Sequence, residues 1–470
     1  MLFLPELMLL GAGLIFFGLS LGSYPAETIR NTAIVCFTVA LAATLATLNN
    51  SGELFFSAYN VDLFSQTFKA LIILATLFVV IFTDKLPGIK AKVRAEYYIF
   101  LSMSVLGLVM LVSSVELLAI FVALELSSFA VYVMVPMRDE RFGSKGQMEA
   151  GIKYLLFGVA ATGFMLFGMS YLFGLTGTTR LADIVVKLSD IYTEPAVVVA
   201  STMVLAGFFY KLALFPMHFW VPDVYEGASN ETTAFIAAVP KIAAVAMLIR
   251  FVILASGSGD AIVNVLMVCA VLSMFYGNLS ALVQKDFKRM LGFSGIAHAG
   301  FVLLGLITFH ATGYATSLYY ITGYAFMNLA CFLVICSVAP QGENLAIEDL
   351  TGLHKRSPLL AITLTVGLFS LAGIPPFVGF TGKFMLLVGA LKEDYLLLVI
   401  LAAINTAIAI YYYLSVVRLT FCTDPEGREA VNGNFLTNIA SVLLILVIII
   451  MGVVPSQFLE IAQSTMKTIM

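Results

Sequence analysis

Apolar side chains occur along this chain in long blocks, not in the short alternation of half-buried strands. A helix needs about 20 predominantly apolar residues to cross a bilayer. Runs of that kind lie near 2–22, 28–48, 66–84, 96–114, 116–136, 149–174, 195–220 and 231–256, then near 260–283, 289–309, 312–339, 357–391, 395–421 and 434–456. The pattern predicts an all-α integral membrane protein of about fourteen spanning helices. The longest polar linkers, 175–194, 49–65 and 340–356, leave no room for a soluble domain. The opening run has neither a basic leader nor a small-residue cleavage site, so it reads as a retained first helix. The expected organisation is one polytopic domain: three helices over 1–95, five over 96–256, five over 257–421 and a C-terminal helix over 422–470.

Composition sharpens the picture. Of 470 residues 61% are hydrophobic and 11% charged, against about 25% charged in a soluble domain. A formal net charge of −3 leaves no basic face to displace counterions, so nucleic acid is not an expected partner. Cys36, Cys269, Cys331, Cys336 and Cys422 lie in or beside apolar runs without a CxxC. They read as small buried hydrophobes, with no cluster or metal expected. Gly11 and Gly13 sit inside an apolar span, without the strand–turn–helix context of a dinucleotide site.

Basic residues set the expected orientation. Loops after odd-numbered runs hold Arg30, Lys85, Lys90, Lys92, Arg94, Arg138, Arg141, Lys145, Lys285, Lys288, Arg289, Lys355, Arg356, Arg418 and Arg428. Even-numbered loops and the C-terminal tail hold Arg180, Lys187, Lys392 and Lys467. The odd loops are therefore expected in the cytoplasm and both termini on the opposite side.

Six basic residues remain inside apolar runs: Lys69, Lys153, Lys211, Lys241, Arg250 and Lys383. Glu125 is the carboxylate at the centre of a span. A charge at the bilayer centre costs about 2.5–3.5 kcal/mol even on the lenient insertion scale. Lys69 and Arg250 lie near the ends of their runs and are expected to snorkel to the interface. Lys153 is an i,i+4 neighbour of Glu149 and reads as an ion pair or a relay member. Glu125, Lys211, Lys241 and Lys383 have no such escape.

Two of the lysines stand at helix breakers. Pro216 and Pro222 follow Lys211, and Gly373, Pro375, Pro376, Gly379 and Gly382 precede Lys383. Helices 7 and 12 are therefore expected to be discontinuous, which membranes tolerate only beside protein or a water-filled cavity. Glu125 precedes Lys211 by 86 residues and His298 precedes Lys383 by 85. Spans 4–8 thus read as a repeat of spans 9–13. Each set holds an odd number of helices, so the copies would be inverted. On that map His298 stands where Glu125 stands, and Lys241 falls near Tyr413, where no charge survives.

Buried lysines and glutamates titrate closer to neutrality than exposed ones, which suits proton transfer. The expected relay runs from Lys153 and Glu125 through Lys211 and Lys241 to His298 and Lys383. Its driving energy would have to come from a partner or an ion gradient. His218, His298, His310 and His354 offer no haem pair, and no nucleotide loop or nucleophilic triad is present.

These residues carry a family resemblance. LELSSFAVYV around Glu125, IKYLLFG around Lys153, GFFYKLALFPMHFWVPDVYEGA around Lys211, AAVPKIAA around Lys241, FSGIAHAG around His298 and FSLAGIPPFVGFTGKF around Lys383 are jointly specific. Over nearly its whole length the chain resembles the antiporter-like subunits of respiratory complex I, the proton-pumping NADH:quinone oxidoreductase. It is most similar to the N type, the counterpart of mitochondrial subunit 2. Lys383, where the M type usually has glutamate, and the absence of the L type's lateral helix favour N.

The resemblance implies that Glu125 and Lys211 form a regulated ion pair, with Lys241 the central relay lysine and Lys383 the terminal one. It implies no cofactor on this chain, with FMN, iron–sulfur clusters and quinone in partner subunits. Those partners would be M-type and small K/J-type membrane-arm subunits, lipids and a hydrophilic redox arm, in a bacterial cytoplasmic (inner) membrane. The alternatives are a D-type subunit of a multisubunit sodium/proton antiporter, an N-like subunit of a ferredoxin- or F420-fed relative, and a structural scaffold with frozen charge pairs.

Overall fold

The computed structural model describes all residues except 142–145, 190, 255–259, 425–426, 432 and 470. Lys145, one of the cations that set the expected orientation, lies outside the described residues. The described chain is helical almost throughout. Its first part comprises α1 (Leu4–Ser20), α2 (Ala26–Ala46), a hairpin of β1 (Gly52–Leu54) and β2 (Tyr59–Val61), α3 (Leu63–Phe82), α4 (Arg94–Ser113), α5 (Leu117–Met134), α6 (Gly146–Thr176) and α7 (Leu181–Leu188). There follow α8 (Pro195–Leu212), α9 (Val221–Gly227), α10 (Asn230–Leu254), α11 (Asp260–Ala281), α12 (Phe287–Leu306) and α13 (Ala311–Val338). The last part holds α14 (Leu353–Arg356), α15 (Pro358–Ala372), α16 (Val378–Lys392), α17 (Leu396–Cys422), α18 (Phe435–Val453) and α19 (Pro455–Met466).

Among the described residues twelve helices are long and apolar enough to cross a membrane, and α1 and α15 are shorter apolar helices. Starts follow familiar capping chemistry: Asp62 and Ser65 form a reciprocal capping box on α3, and Asp286 and Asn434 cap α12 and α18. α10 is apolar on every side and wholly enclosed, as a helix lacking a polar face should be. Two short amphipathic elements were not expected from the sequence. α7 lies in the stretch read as the linker 175–194, and α19 follows the last span.

Both expected breaks are present. α8 stops at Ala213 and α15 at Gly373, each in the left-handed region with φ of 68° and 83°. In each case the next amide reaches back across the helix end, from Leu214 to Phe209 O and from Ile374 to Phe369 O, both in a Schellman-type closure. The run 195–220 is therefore α8 plus an irregular turn leading to α9, and 357–391 is α15 plus α16.

The loops sort to two ends of the bundle. At the odd-loop end Arg30 pairs with Asp84 at 2.8 Å, and Asp139 N–H donates to Gly88 O. Gly88 N–H donates to Glu231, and Ile347 N–H to Lys285 O. At the even-loop end Val115 N–H donates to Ala58 O and Leu117 N–H to Thr179 O. The N-terminus belongs to the even-loop end, where Phe3 packs edge-on against Phe55 and Tyr59.

Close helix contacts give a register between the halves that differs from the sequence map. A Cβ on Gly107 of α4 would lie 2.5 Å from Ser127 N and 2.8 Å from Ala123 O of α5. A Cβ on Gly277 of α11 would lie 2.6 Å from both Ala297 N and Phe293 O of α12. All three pairs are 170 residues apart. On this register Gly295, not His298, stands where Glu125 stands, and His298 corresponds to Ser128. The two breaks are 160 residues apart, so Lys211 precedes its break while Lys383 follows its own. The sequence map matches charge with charge, at offsets of 172 and 173, while the glycine contacts stand 170 residues apart and the breaks 160.

Candidate functional site

Lys211 lies in the last turn of α8, with 2% of its surface exposed. Its Nζ donates to Ser127 Oγ at 3.1 Å and Ser128 Oγ at 2.9 Å on α5. Ser127 Oγ is in turn 3.2 Å from Ser104 Oγ on α4. Glu125 is half-buried on α5 and accepts from Thr162 Oγ1 of α6 at 2.7 Å. The ion pair implied between Glu125 and Lys211 is therefore not made here. The serine hydroxyls stand in the place of the carboxylate, because Glu125 is drawn towards α6.

Lys241 is held in enclosed α10. Pro240 beside it supplies no N–H to the carbonyl of Ile236, four residues back. Lys241 Nζ donates to Tyr324 OH at 3.0 Å and Gly295 O at 3.4 Å, and lies 5.0 Å from the Tyr324 ring centre. A Cβ at Gly295 would sit 2.7 Å from that Nζ, so only glycine leaves the lysine this approach. His298, one turn further along α12, bonds Tyr320 OH at 2.6 Å through Nδ1 and Tyr413 OH at 3.2 Å through Nε2. Tyr413 also meets Ser294.

Lys383 on α16 reaches back across its break. Its Nζ donates to Leu371 O at 2.8 Å and Ala372 O at 3.5 Å, and lies 5.0 Å from the Phe301 ring centre. Carbonyls at a helix C-terminus lack intrahelical partners and carry partial negative charge. The ammonium answers both needs.

The residues of the second half of the expected relay lie in packing contact, though among the described residues no hydrogen bond joins His298 to Lys383. Tyr324 touches Lys241 by its hydroxyl and the His298 ring at a centroid distance of 5.1 Å. Phe301 contacts both His298 and Lys383. Lys211 and Glu125 stand apart from this row: among the described residues no hydrogen bond joins Lys211 to the Lys241 group. Tyr320, Tyr324 and Tyr413 were missed as candidates. The signals were the i,i+4 tyrosines of α13 and the Tyr411-Tyr412-Tyr413 run, whose hydroxyls replace charge.

Lys153 is not in the row. Its side chain is 37% exposed at the odd-loop end, paired at 2.7 Å with both Glu149 and Asp223. Arg289 binds Asp223 at 2.9 Å and Glu226 at 2.8 Å. Burial raises the Asp223 carboxyl, but hydrogen bonds from Lys153 and Arg289 outweigh it and leave it below the usual range. A cavity of about 210 Å³ opens here, lined by Arg138, Gln147, Glu149, Lys153, Asp223 and Glu226. Lys288, read as a loop cation, is instead fully buried and donates to Ala228 O at 2.9 Å.

Nor do Lys69 and Arg250 snorkel. Lys69 is fully buried against Glu6 at 2.7 Å. Arg250 binds both oxygens of Asp62, at 2.9 and 3.1 Å, and lies 4.6 Å from the Phe64 ring centre. Each found a counter-ion on a distant helix, and a paired buried charge has no need to reach water.

Comparison with known proteins bears on this arrangement. Residues 114–409, which include every member of the row, match the model described as NADH:quinone oxidoreductase/Mrp antiporter, TM. The chain belongs to that family. It is 49% identical over 470 residues to NADH-quinone oxidoreductase subunit N 2 of Opitutus terrae, covering 99% of this chain and 98% of the relative. It is 41% identical to the protein of the same name from Syntrophobacter fumaroxidans, covering 100% and 99%. Among solved structures, a chain of respiratory complex I from Thermus thermophilus matches with a TM-score of 0.85 at 29% identity, covering 98% of this family member and 99% of that chain. A chain of the Mrp complex from Dietzia shares the fold alone, at 0.86 and 20% identity over 99% and 96% of the two chains.

Proposed function

We propose that this chain is the N-type, proton-translocating membrane-arm subunit of a NADH:quinone oxidoreductase. It moves protons along Lys211, Lys241, His298 and Lys383, fed from the cavity at Lys153 and from Glu125. The observation that carries the reading is the buried row from Lys241 through Tyr324 and His298 to Lys383. Membranes hold isolated ionisable groups at a cost, and by default such groups mark an ion pathway. Waters would bridge the intervals between Lys211 and Lys241 and between His298 and Lys383.

In this reading the twelve long helices and the two shorter apolar ones are fourteen spans. Spans 4–8 and 9–13 form inverted repeats, offset by 170 residues at spans 4–5 and 9–10 and by 160 at the two breaks. M-type and K/J-type subunits flank the chain, FMN, iron–sulfur clusters and quinone reside in partners, and the complex acts as a translocase. The membrane is the bacterial cytoplasmic one, with both termini outside the cytoplasm. Whole-length identity to N subunits, against fold-level likeness to Mrp, favours this over the sodium/proton antiporter.

The test is to isolate the native assembly through a tag on this chain and assay NADH:quinone reduction and proton uptake in proteoliposomes. Flavin and iron–sulfur subunits should co-purify with inhibitor-sensitive activity. Lys241→Met and Lys383→Met should assemble but lose pumping. An assembly without redox subunits, or undiminished pumping by both variants, would defeat the reading.

A further inference from the structure

At the even-loop end, outside the expected relay, four charged side chains meet out of water: Glu6 of α1, Asp62 at the cap of α3, Lys69 of α3 and Arg250 of α10. They form two pairs of different chemistry. Arg250 grips both oxygens of Asp62 and donates to Val112 O. A guanidinium does not give up its proton in a protein, so this pair is a fixed tie between α10 and α3.

The other pair is built from groups that exchange protons. Lys69 and Glu6 are both fully buried, 2.7 Å apart. Tyr59 OH donates to the same Glu6 Oε1 at 2.5 Å and accepts from Lys69 Nζ at 3.2 Å. Glu6 Oε2 is buried and has no hydrogen-bond partner. Phe3 and Phe55 close over Tyr59 from the chain's outer end.

We propose that Glu6, Tyr59 and Lys69 form a second proton-holding site, which passes protons between the bundle and the even-loop side. This rests on the proton-translocating reading above and adds a place for the proton beyond the relay. The site has two forms of equal net charge. In one, Lys69 is an ammonium and Glu6 a carboxylate. In the other, Lys69 gives a proton to Tyr59 Oη while the Tyr59 hydroxyl proton moves to Glu6 Oε1. That leaves an amine, an intact tyrosine and a carboxylic acid, with nothing charged in the membrane. A proton that then reaches the Lys69 amine, and one that leaves Glu6 for the even-loop side, restores the ion pair with one proton moved.

Stability alone does not call for this construction. A buried ion pair can often be replaced by apolar side chains of similar volume without loss, and α1 is already held to α4, where Phe16 stacks on Tyr98.

The experiment uses the intact complex in proteoliposomes and reads protons moved per quinone reduced. The variants are Tyr59→Phe, the pair Glu6→Gln with Lys69→Met, and Lys241→Met as the control for the relay. The site predicts that the double variant assembles but loses pumping, as Lys241→Met does, and that Tyr59→Phe, left with the direct Lys69–Glu6 contact alone, pumps less than the parent. Parent-like pumping in both, with pumping lost in Lys241→Met, overturns this site and leaves the relay standing. Should the double variant fail to assemble, a spectroscopic readout decides. Infrared difference spectra give a readout independent of turnover. A protonated-carboxyl band that Glu6→Gln removes supports the site even if Lys241→Met were to pump, and its absence from the parent protein overturns it.

Discussion

Asp223 shows how much one carboxylate can hold. It joins Lys153 on α6 to Arg289 on α12, and these two donors outweigh the effect of burial on its acidity. A depressed folded-state pKa contributes stability above the ordinary value of 3.8, and that stability is lost as pH falls through the depressed value. Asp223→Asn should therefore lower thermal stability at neutral pH by about 0.5–1 kcal/mol, the scale of partly exposed pairs. The gap to the parent should close in melts below pH 3.8. An equal gap at all pH values would show that Asp223 acts by shape and not by charge. Single residues were also where sequence reading was least complete. Lys241 and Lys383 stood out because charge in an apolar run is costly wherever it folds, whereas His298 stood out only through the repeat map. The partners of Lys69 and Arg250 could not be seen, because Glu6 and Asp62 approach from other helices.

At the level of helices, glycines fix which side chains face each other. Gly107 lets α4 touch the α5 backbone beside Ser127, and Ser127 receives Lys211. Gly277 does the same for α12, which carries Gly295 and His298. Close backbone approach at small residues is a principal way for helices to associate in lipid. Gly107→Ala and Gly277→Ala should each destabilise the subunit by about 1–3 kcal/mol, the usual cost of overpacking, seen as a lower melting temperature of the assembly. An unchanged melting temperature would mean that the helices part at no cost. The breaks in α8 and α15 were legible, because proline and glycine announce them locally. The register between the halves was not, because it is set by contacts between helices and loops shift it by ten residues between α12 and α15.

For the whole molecule, the alternation of loops between two ends was legible from the count of apolar runs and is borne out by the hydrogen bonds joining each set. Sidedness itself can be measured. In a Cys422→Ser background, Phe56→Cys in the even-loop hairpin should react with an impermeant maleimide from outside the cytoplasm. Glu140→Cys should react only from the cytoplasmic face. Phe56 is 96% exposed and the Glu140 side chain 66%, so labelling in the reverse sense would invert the orientation. Arg138 adds something that a path of titrating groups does not. Its guanidinium donates to Glu226 O and Gly227 O behind α9, and to Gly342 O and Asn344 beyond α13. Arg138 so ties α9 and the 340–344 segment together at the odd-loop end. One guanidinium thus makes a single body of segments from both halves, with acceptors 88 and 204 residues along the chain from it.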